Sequence, residues 1–282
     1  MSEYQYNEFQ AIDRPLTEQD RQDLRAISAR AQITATSFTN HYEWGDFKGE
    51  PDEFMERWFD LHLYLANWGT RWLMIRLPNG LIDQAQLERF IGEVDYARHW
   101  VAGEHLILDI LFEDVGIDEE EDWREDTHWL SVLGGLRDDL LAGDLRMLYL
   151  LWMAAIEYDA FDEDLPEPMP GIGPMTVALV AFVNFFHIDP DVVAAAAERP
   201  ATTIPRAITA ESARAVISSL SDEGKIGLLI RVVEGDQNLA AKLRSDISRR
   251  LEPLRDVSKG EPRTVGELRA RAVEIDQERP RK

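Results

Sequence analysis

The chain of 282 residues contains no cysteine. It therefore cannot form a disulfide, use a thiolate nucleophile, or hold zinc or an iron–sulfur cluster through thiolates. It also lacks the roughly 18 uninterrupted apolar residues that a membrane helix needs. The nearest run, residues 175–188, is shorter and contains Asn184 and His187. The opening residues lack the basic and apolar stretches of a secretory signal. These absences predict a cytoplasmic protein without a membrane partner.

Histidine patterns of the kind that bind metals are also missing. None of the six histidines belongs to an H-x-x-x-H pair or an H-E-x-x-H motif. His105 and Asp109 lie on one face of a predicted strand, but four residues of strand separate them by about 13 Å. The sequence therefore predicts no metal site, no cofactor and no catalytic residue.

Basic residues are scarce in most of the chain. The formal net charge is −23, and residues 1–200 carry 40 acids and only 14 bases, whereas residues 201–282 carry 13 acids and 16 bases. Phosphate binding depends on Lys and Arg, so direct nucleic-acid binding is disfavoured. A protein partner with a basic surface is compatible with this composition.

The densest acidic stretch, residues 113–126, holds nine acids and one base. Unpaired carboxylates are costly to bury, so this stretch predicts a solvated linker. It divides the chain into an α+β domain (1–113), an acidic linker (114–126), a helical domain (127–257) and a tail (258–282) with a terminal helix. The tail is basic, with interspersed acids, and could either be solvated or dock on the acidic surface.

Apolar periodicity sets the expected fold class. Strand-like and helical patterns alternate up to residue 112, while the patterns after residue 126 are helical. We expect an α+β (or α/β) N-terminal domain with a mixed sheet, followed by an all-α helical C-terminal domain. The N-terminal elements are an extended segment at 4–12, a helix after Thr17, a strand at 33–44, a helix at 51–68, a strand at 71–77, a helix at 84–91 and a strand at 105–112.

One turn has the composition of a binding loop. Residues 42–49 gather aromatic, acidic and basic side chains around two glycines, just before a predicted helix. Trp44 and Asp46 of this turn, together with His105, form a candidate binding pocket. The alternative is that Trp44 and Phe47 fill the core.

A second motif, Pro170-Gly-Ile-Gly-Pro174, resembles the loop of helix-hairpin-helix DNA-binding modules. In such a loop the amides of Gly171 and Gly173 would meet a phosphate at a helix N-terminus. The preceding segment is acidic and proline-rich, and no Lys or Arg lies between Arg146 and Arg199. The electrostatics therefore disfavour this hypothesis.

Three regions resemble an uncharacterised bacterial protein family. They are YQYNEFQAIDRPLT with ITATSFTNHYEWGDFKG and ANWGTRWLMIRLP, then DDLLAGDLRMLYLLWMAAIE, then PGIGPMTVALVAFVNFFHIDPDVVAAAAE. The resemblance runs from about Tyr4 to the segment that begins at Thr264. It implies no activity, cofactor or catalytic residue.

The sequence thus supports three hypotheses, and it sets no oligomeric state. The leading one is a protein–protein interaction or accessory module that is not an enzyme. The second is an enzyme with its pocket around Trp44, Asp46 and His105. The third, which the charge disfavours, is nucleic-acid association through Gly171 and Gly173.

Overall fold

The expected fold class is confirmed. The computed structural model has a seven-stranded sheet and helices in the N-terminal half, followed by helices. It describes residues 4–43, 47–92, 94–113, 115, 129–157, 160–201, 209–233, 239, 243, 246–247 and 261–279.

The sheet is antiparallel at every pairing, where the sequence predicted a mixed sheet. Tight turns at Gly69 (φ 98°) and Gly103 (φ 59°) join neighbouring strands as hairpins, and hairpins impose antiparallel pairing. The strand order is β2-β3-β1-β4-β5-β7-β6. The strands are β1 Gln5–Gln10, β2 Gln32–Ile33, β3 Ser37–Tyr42, β4 Leu61–Ala66, β5 Arg71–Pro78, β6 Ala97–Ala102 and β7 His105–Phe112.

The helices described in this half are α1 Glu18–Ile27, α2 Pro51–Arg57 and α3 Gln84–Ile91. The helix predicted over 51–68 is wrong, because α2 ends at Arg57 and β4 follows. Leu61, Leu63 and Leu65 alternate onto one buried face of β4. An apolar run of this length fits both periodicities, and pairing of β4 with β1 and β5 decides in favour of the strand.

The two faces of the sheet are covered differently. One face carries aromatic residues, including Phe9 and Phe38, and packs against α2. The other carries aliphatic residues, including Leu63 and Ile75, and packs against the helical half. Alternation of side chains along each strand separates the two sets.

The helical half comprises α4 Trp129–Leu141, α5 Arg146–Glu157, α6 Val177–Phe186, α7 Pro190–Ala197, α8 Ala210–Ser219, α9 Asp222–Val233 and α10 Val265–Glu278. Helix α4 contacts β4 and β5, so the aliphatic core continues across the predicted domain boundary. Val115, inside the predicted linker, is buried and donates its amide to the Gly69 carbonyl. Residues 114 and 116–128 lie outside the described residues, and the division into domains stays a prediction.

Helix α10, the described helix of the predicted tail, packs against the helical half. Thr264 and Glu267 form the capping box of α10, and α10 packs along α7. Arg271 bonds Glu198 at 2.6 Å, and Arg279 pairs with Asp191. Within the described ranges, no helix is both long and apolar enough to cross a membrane.

A buried ion network joins the sheet to α4. Asp60, between α2 and β4, has no exposed surface, and Oδ1 accepts from Nε and Nη2 of Arg76 at 3.0 and 2.7 Å. Its Oδ2 accepts from the amides of Ile12 and Asp13. Arg137 of α4 lies 3.8 Å from Asp60, pairs with Asp13 at 2.6 Å and donates to the Arg76 carbonyl. The network holds two carboxylates and two guanidinium groups, so its charges balance.

Removal of Asp60 tests how much depends on this network. Asp60→Ala leaves Arg76 without its carboxylate and Arg137 with only Asp13, so we expect a loss of about 3–5 kcal/mol in the free energy of unfolding. Urea denaturation measures it. The matched control is Glu18→Ala, which breaks an exposed pair with Arg21 and is expected to cost less than about 1 kcal/mol. Equal losses in the two variants would contradict a central role for Asp60.

Candidate functional site

The structure describes one of the three residues of the predicted pocket. His105 is the first residue of β7, at the end of the sheet beside the Asp60 network. Trp44 and Asp46 lie outside the described residues, so the convergence of the three side chains stays a prediction. Residues 42, 43 and 47–49 of the same turn are described. Phe47 is partly buried and packs against Phe9 and Phe54 at the edge of the aromatic core.

His105 is half-buried and responds to the charges of the Asp60 network. Burial, and then the positive charge of Arg76, lower the pKa of His105, while Asp60, Asp13 and Glu104 oppose that shift. The imidazole is therefore neutral at pH 7 and able to accept a proton. That property is what a general base would need.

The charged groups of the network beside His105 already bind one another and the backbone of the protein. Burial alone would raise the pKa of Asp60, but Arg76, Arg137 and the amides of Ile12 and Asp13 hold it below its ordinary value. Arg76 also donates to the Met55 carbonyl at 3.1 Å, so each end of its guanidinium is bonded within the protein. Asp60 thus stays ionised, and its contacts with Arg76 hold both side chains in place.

A second charged group lies on the aromatic face of the sheet, near its β6 edge. Arg98 and Asp109 face each other across β6 and β7, and Arg98 Nε donates to Asp109 at 2.5 Å. The indole of Trp72 donates to the other carboxylate oxygen, and Arg98 also bonds Asp52 of α2. Burial raises the pKa of Asp109 despite these donors. The group ties α2 to the sheet.

His62 is the most deeply placed histidine in the described structure. It has no exposed surface, stacks on Phe9 at 4.2 Å and lies edge-on to Trp72. Its Nε2 lies 3.3 Å from Oδ1 of Asn7, while its Nδ1 has no hydrogen-bond partner. Burial lowers the pKa of His62 to about 3, so the imidazole is neutral in the folded protein at any ordinary pH.

The loop that resembles a helix-hairpin-helix motif uses its amides within the protein. The amide of Gly171 donates to the Met169 carbonyl and that of Gly173 to the Arg199 carbonyl. Gly171 has φ 118°, and a Cβ there would lie 2.5 Å from the Arg199 carbonyl oxygen. Both glycines therefore permit close packing of this loop against the end of α7. Phosphate binding through the loop stays a prediction.

Two buried arginines hold this loop and the α10 segment in place. Arg146 bonds the carboxylate of Asp144 and donates to the Ile172 carbonyl at 3.2 Å. Arg263 binds Glu167, which has almost no exposed surface and also accepts from the Tyr149 hydroxyl at 2.5 Å. These contacts fix residues 162–174 although the segment has no helix or strand.

The last notable surface belongs to α8 and α9, neither of which has a buried residue. On α9, Ile226, Leu229, Ile230 and Val233 are 57, 65, 51 and 87% exposed. Their spacing places them on one side of a helix. We call these four residues the α9 stripe. Ile217 of α8 is also exposed.

A surface depression and the remaining clusters of polar side chains offer no further candidate site among the described residues. A surface depression of about 400 Å³ is lined by Glu18, Arg21, Gln22, Arg25 and Ile33, but Arg25 donates to backbone carbonyls and Arg21 pairs with Glu18. Among the described residues, no group of three or more His, Asp or Glu side chains could hold a metal ion.

Comparisons of the chain with protein-family models, with curated proteins and with solved structures found no match.

Sequence reasoning missed most residues of these sites. Asp60 stands alone in the apolar run WFDLHLYL and Arg76 in LMIRLP, and a lone charge in such a run is a usable signal for a buried pair. Nothing local identifies Arg137 as a partner, because 124 residues separate it from Asp13.

The buried His62 predicts acid sensitivity. The unfolded chain takes up a proton near pH 6.5, whereas folded His62 stays neutral down to about 3. The contribution of His62 to the free energy of unfolding is therefore constant above pH 6.5. Below pH 6.5 this contribution falls, by at most about 1.4 kcal/mol per pH unit. In urea denaturation between pH 6.5 and 5, His62→Phe should show a shallower loss than the wild type. Identical slopes would contradict the neutral, buried state.

The packing role of Gly171 predicts a difference between two glycines of positive φ. Gly80 has φ 79° and open space around its Cβ position, whereas the same position at Gly171 overlaps backbone. We expect Gly171→Ala to destabilise the protein by about 2 kcal/mol more than Gly80→Ala. Thermal unfolding of the two variants measures this difference. Equal melting temperatures would contradict the close packing of Gly171 against the backbone of Arg199.

Proposed function

We propose that the protein is a cytoplasmic protein–protein interaction module, and that α8 and α9 form its docking element for an apolar helix of a protein partner. The observation that carries the proposal is the α9 stripe, exposed on a helix without a buried residue. Contiguous exposed apolar patches are typical of interaction sites.

The length of the two helices supports the same function. Helix α8 has 10 residues and α9 has 12, and isolated helices this short are marginal in water. Their stripe matches the i, i+3, i+4, i+7 anchors by which helices recognise apolar surfaces. A partner that covers it would stabilise both the helices and the complex.

The charge distribution favours a protein partner over nucleic acid. The acidic body would attract a partner with a basic surface and repel nucleic acid. The amides of Gly171 and Gly173 already donate within the protein, which further disfavours binding of a phosphate there. The enzyme hypothesis has one described residue, His105, and no described observation favours it over docking.

Site-specific photo-crosslinking in native cell extract tests the proposal. A photoreactive amino acid replaces Leu229 of the α9 stripe, and the matched control carries it at Val273 of α10, which is 56% exposed. We expect a defined crosslinked protein adduct from position 229 and none from position 273. If position 229 yields no adduct, or both positions yield the same adducts, the α9 stripe is not a docking surface and the proposal fails.

A further inference from the structure

We propose that strand β6 pairs with β6 of a second copy of this chain, antiparallel about a two-fold axis, so that two seven-stranded sheets join into one. The surface is separate from the α9 stripe, and the pairing does not depend on the proposed function. Three features of β6 support it: an open edge, the lack of any device that blocks this edge, and an order of side chains that is complementary to itself.

One side of β6 carries backbone groups that no described strand pairs with. Strand β6 is last in the strand order, beside β7. The amide of Leu111 donates to the Tyr96 carbonyl. Bonded pairs alternate along antiparallel strands, so the even-numbered residues of β6 bond to β7. The odd-numbered residues therefore direct their amides and carbonyls to the open side: Ala97, His99 and Val101. Val101 is 54% exposed.

Strand β6 lacks the devices by which proteins usually block a free edge. Its six residues pair with β7 without a bulge and include no proline. Its arginine, Arg98, is held over the sheet by Asp109 of β7 and Asp52 of α2. The strand at the opposite edge, β2, has two residues, and a strand that short offers little to a partner. The open edge of β6 is thus suited to accept another strand.

The side chains of β6 are complementary to themselves when two copies run antiparallel with His99 on the axis. Ala97 of one copy then lies opposite Val101 of the other, and Arg98 lies opposite Trp100. Arg98 already lies 5.1 Å from the Trp100 ring within one chain, and a guanidinium group is attracted to an indole. All three outward residues pair in this arrangement, which gives about six backbone hydrogen bonds between the copies.

The neighbouring registers are less favourable. One copy must move by two residues to keep the outward amides and carbonyls in phase. A shift in one direction places Arg98 opposite its own counterpart, and like charges directly opposite each other are destabilising. A shift in the other direction leaves Ala97 opposite Gly103 of the turn. The register with His99 on the axis is therefore preferred, and a contact of this kind closes at two copies.

The local charge permits two acidic chains to meet at this edge. Residues 97–102 include no acid, and Asp109 and Asp52 balance the charge of Arg98. Asp95 and Glu104 flank the strand. Added salt should therefore screen the repulsion between the acidic copies and strengthen the dimer. A dimer that dissociates in high salt would be held by ion pairs between the copies, and this result would overturn the proposal.

Sedimentation velocity of the purified full-length protein over a hundredfold concentration range tests for the dimer. Val101→Pro removes an N–H that makes no bond to β7, so the monomer should still fold while the dimer weakens at least about tenfold. Val101→Thr keeps this N–H and is the matched control, with an unchanged equilibrium expected. Circular dichroism verifies that each variant is folded.

Two results of this experiment would overturn the proposal. A dimer that Val101→Pro leaves intact would be formed by another surface. A purified chain that stays monomeric at every concentration would leave the edge of β6 to an extended segment of a different protein.

Hydrogen exchange of the unaltered protein gives a readout that needs no substitution. The amide of Trp100 faces β7 and should be protected at every concentration. The amides of His99 and Val101 should exchange rapidly in dilute solution and become protected in concentrated solution, as the dimer forms. Rapid exchange of these two amides at both concentrations would overturn the pairing of β6 with a second copy.

Cysteine pairing tests the register, and the natural absence of cysteine leaves no competing thiol. The Cα atoms of a bonded pair on the axis lie about 5.5 Å apart, within reach of a disulfide. His99→Cys should therefore form a disulfide-linked dimer on oxidation. Val101→Cys is the control, because its two copies would lie about 13 Å apart along the strands. Efficient pairing of Val101→Cys without pairing of His99→Cys would overturn the register.

Discussion

Asp60 is a carboxylate without exposed surface on which three parts of the chain converge. The backbone after β1 donates two amides to it, Arg76 of β5 donates two guanidinium hydrogen bonds, and Arg137 of α4 lies close by. Buried ion pairs add little net stability over apolar packing, but the loss of one partner strands the others. The network therefore fixes how α4 approaches the sheet, and the core between them follows from that position.

The helical half contains both tightly held segments and an exposed pair of helices. In the helical half, the buried Arg146 and Arg263 hold irregular segments against the helices. Helices α8 and α9 contribute no buried residue and leave an apolar stripe exposed. The two exposed helices supply the surface from which we derive the docking function.

Local sequence patterns predict the bounds of several helices and strands, but they do not predict which side chains meet in the Asp60 network. The bounds of α3 and β7 match their predicted ranges, because capping by Asp83 and the apolar run over 105–112 are local signals. The helix predicted over 51–68 is wrong, since its apolar run fits two periodicities and only pairing with distant strands decides between them. The Asp60 network likewise depends on topology, and its members are spread from Asp13 to Arg137. The stripe of α9 shows a helical period in the sequence, but a period alone does not tell whether that side of the helix is buried or exposed.

The central claim is that the sheet and α4 share one core fixed by the Asp60 network. Native-state hydrogen exchange measures the free energy of opening for the amides of β4 and β5 and, separately, for those of α4. A shared core predicts that both sets exchange through a single opening with the same free energy. If α4 exchanges through a lower-energy opening while the strands stay protected, the two halves unfold independently and the claim is contradicted.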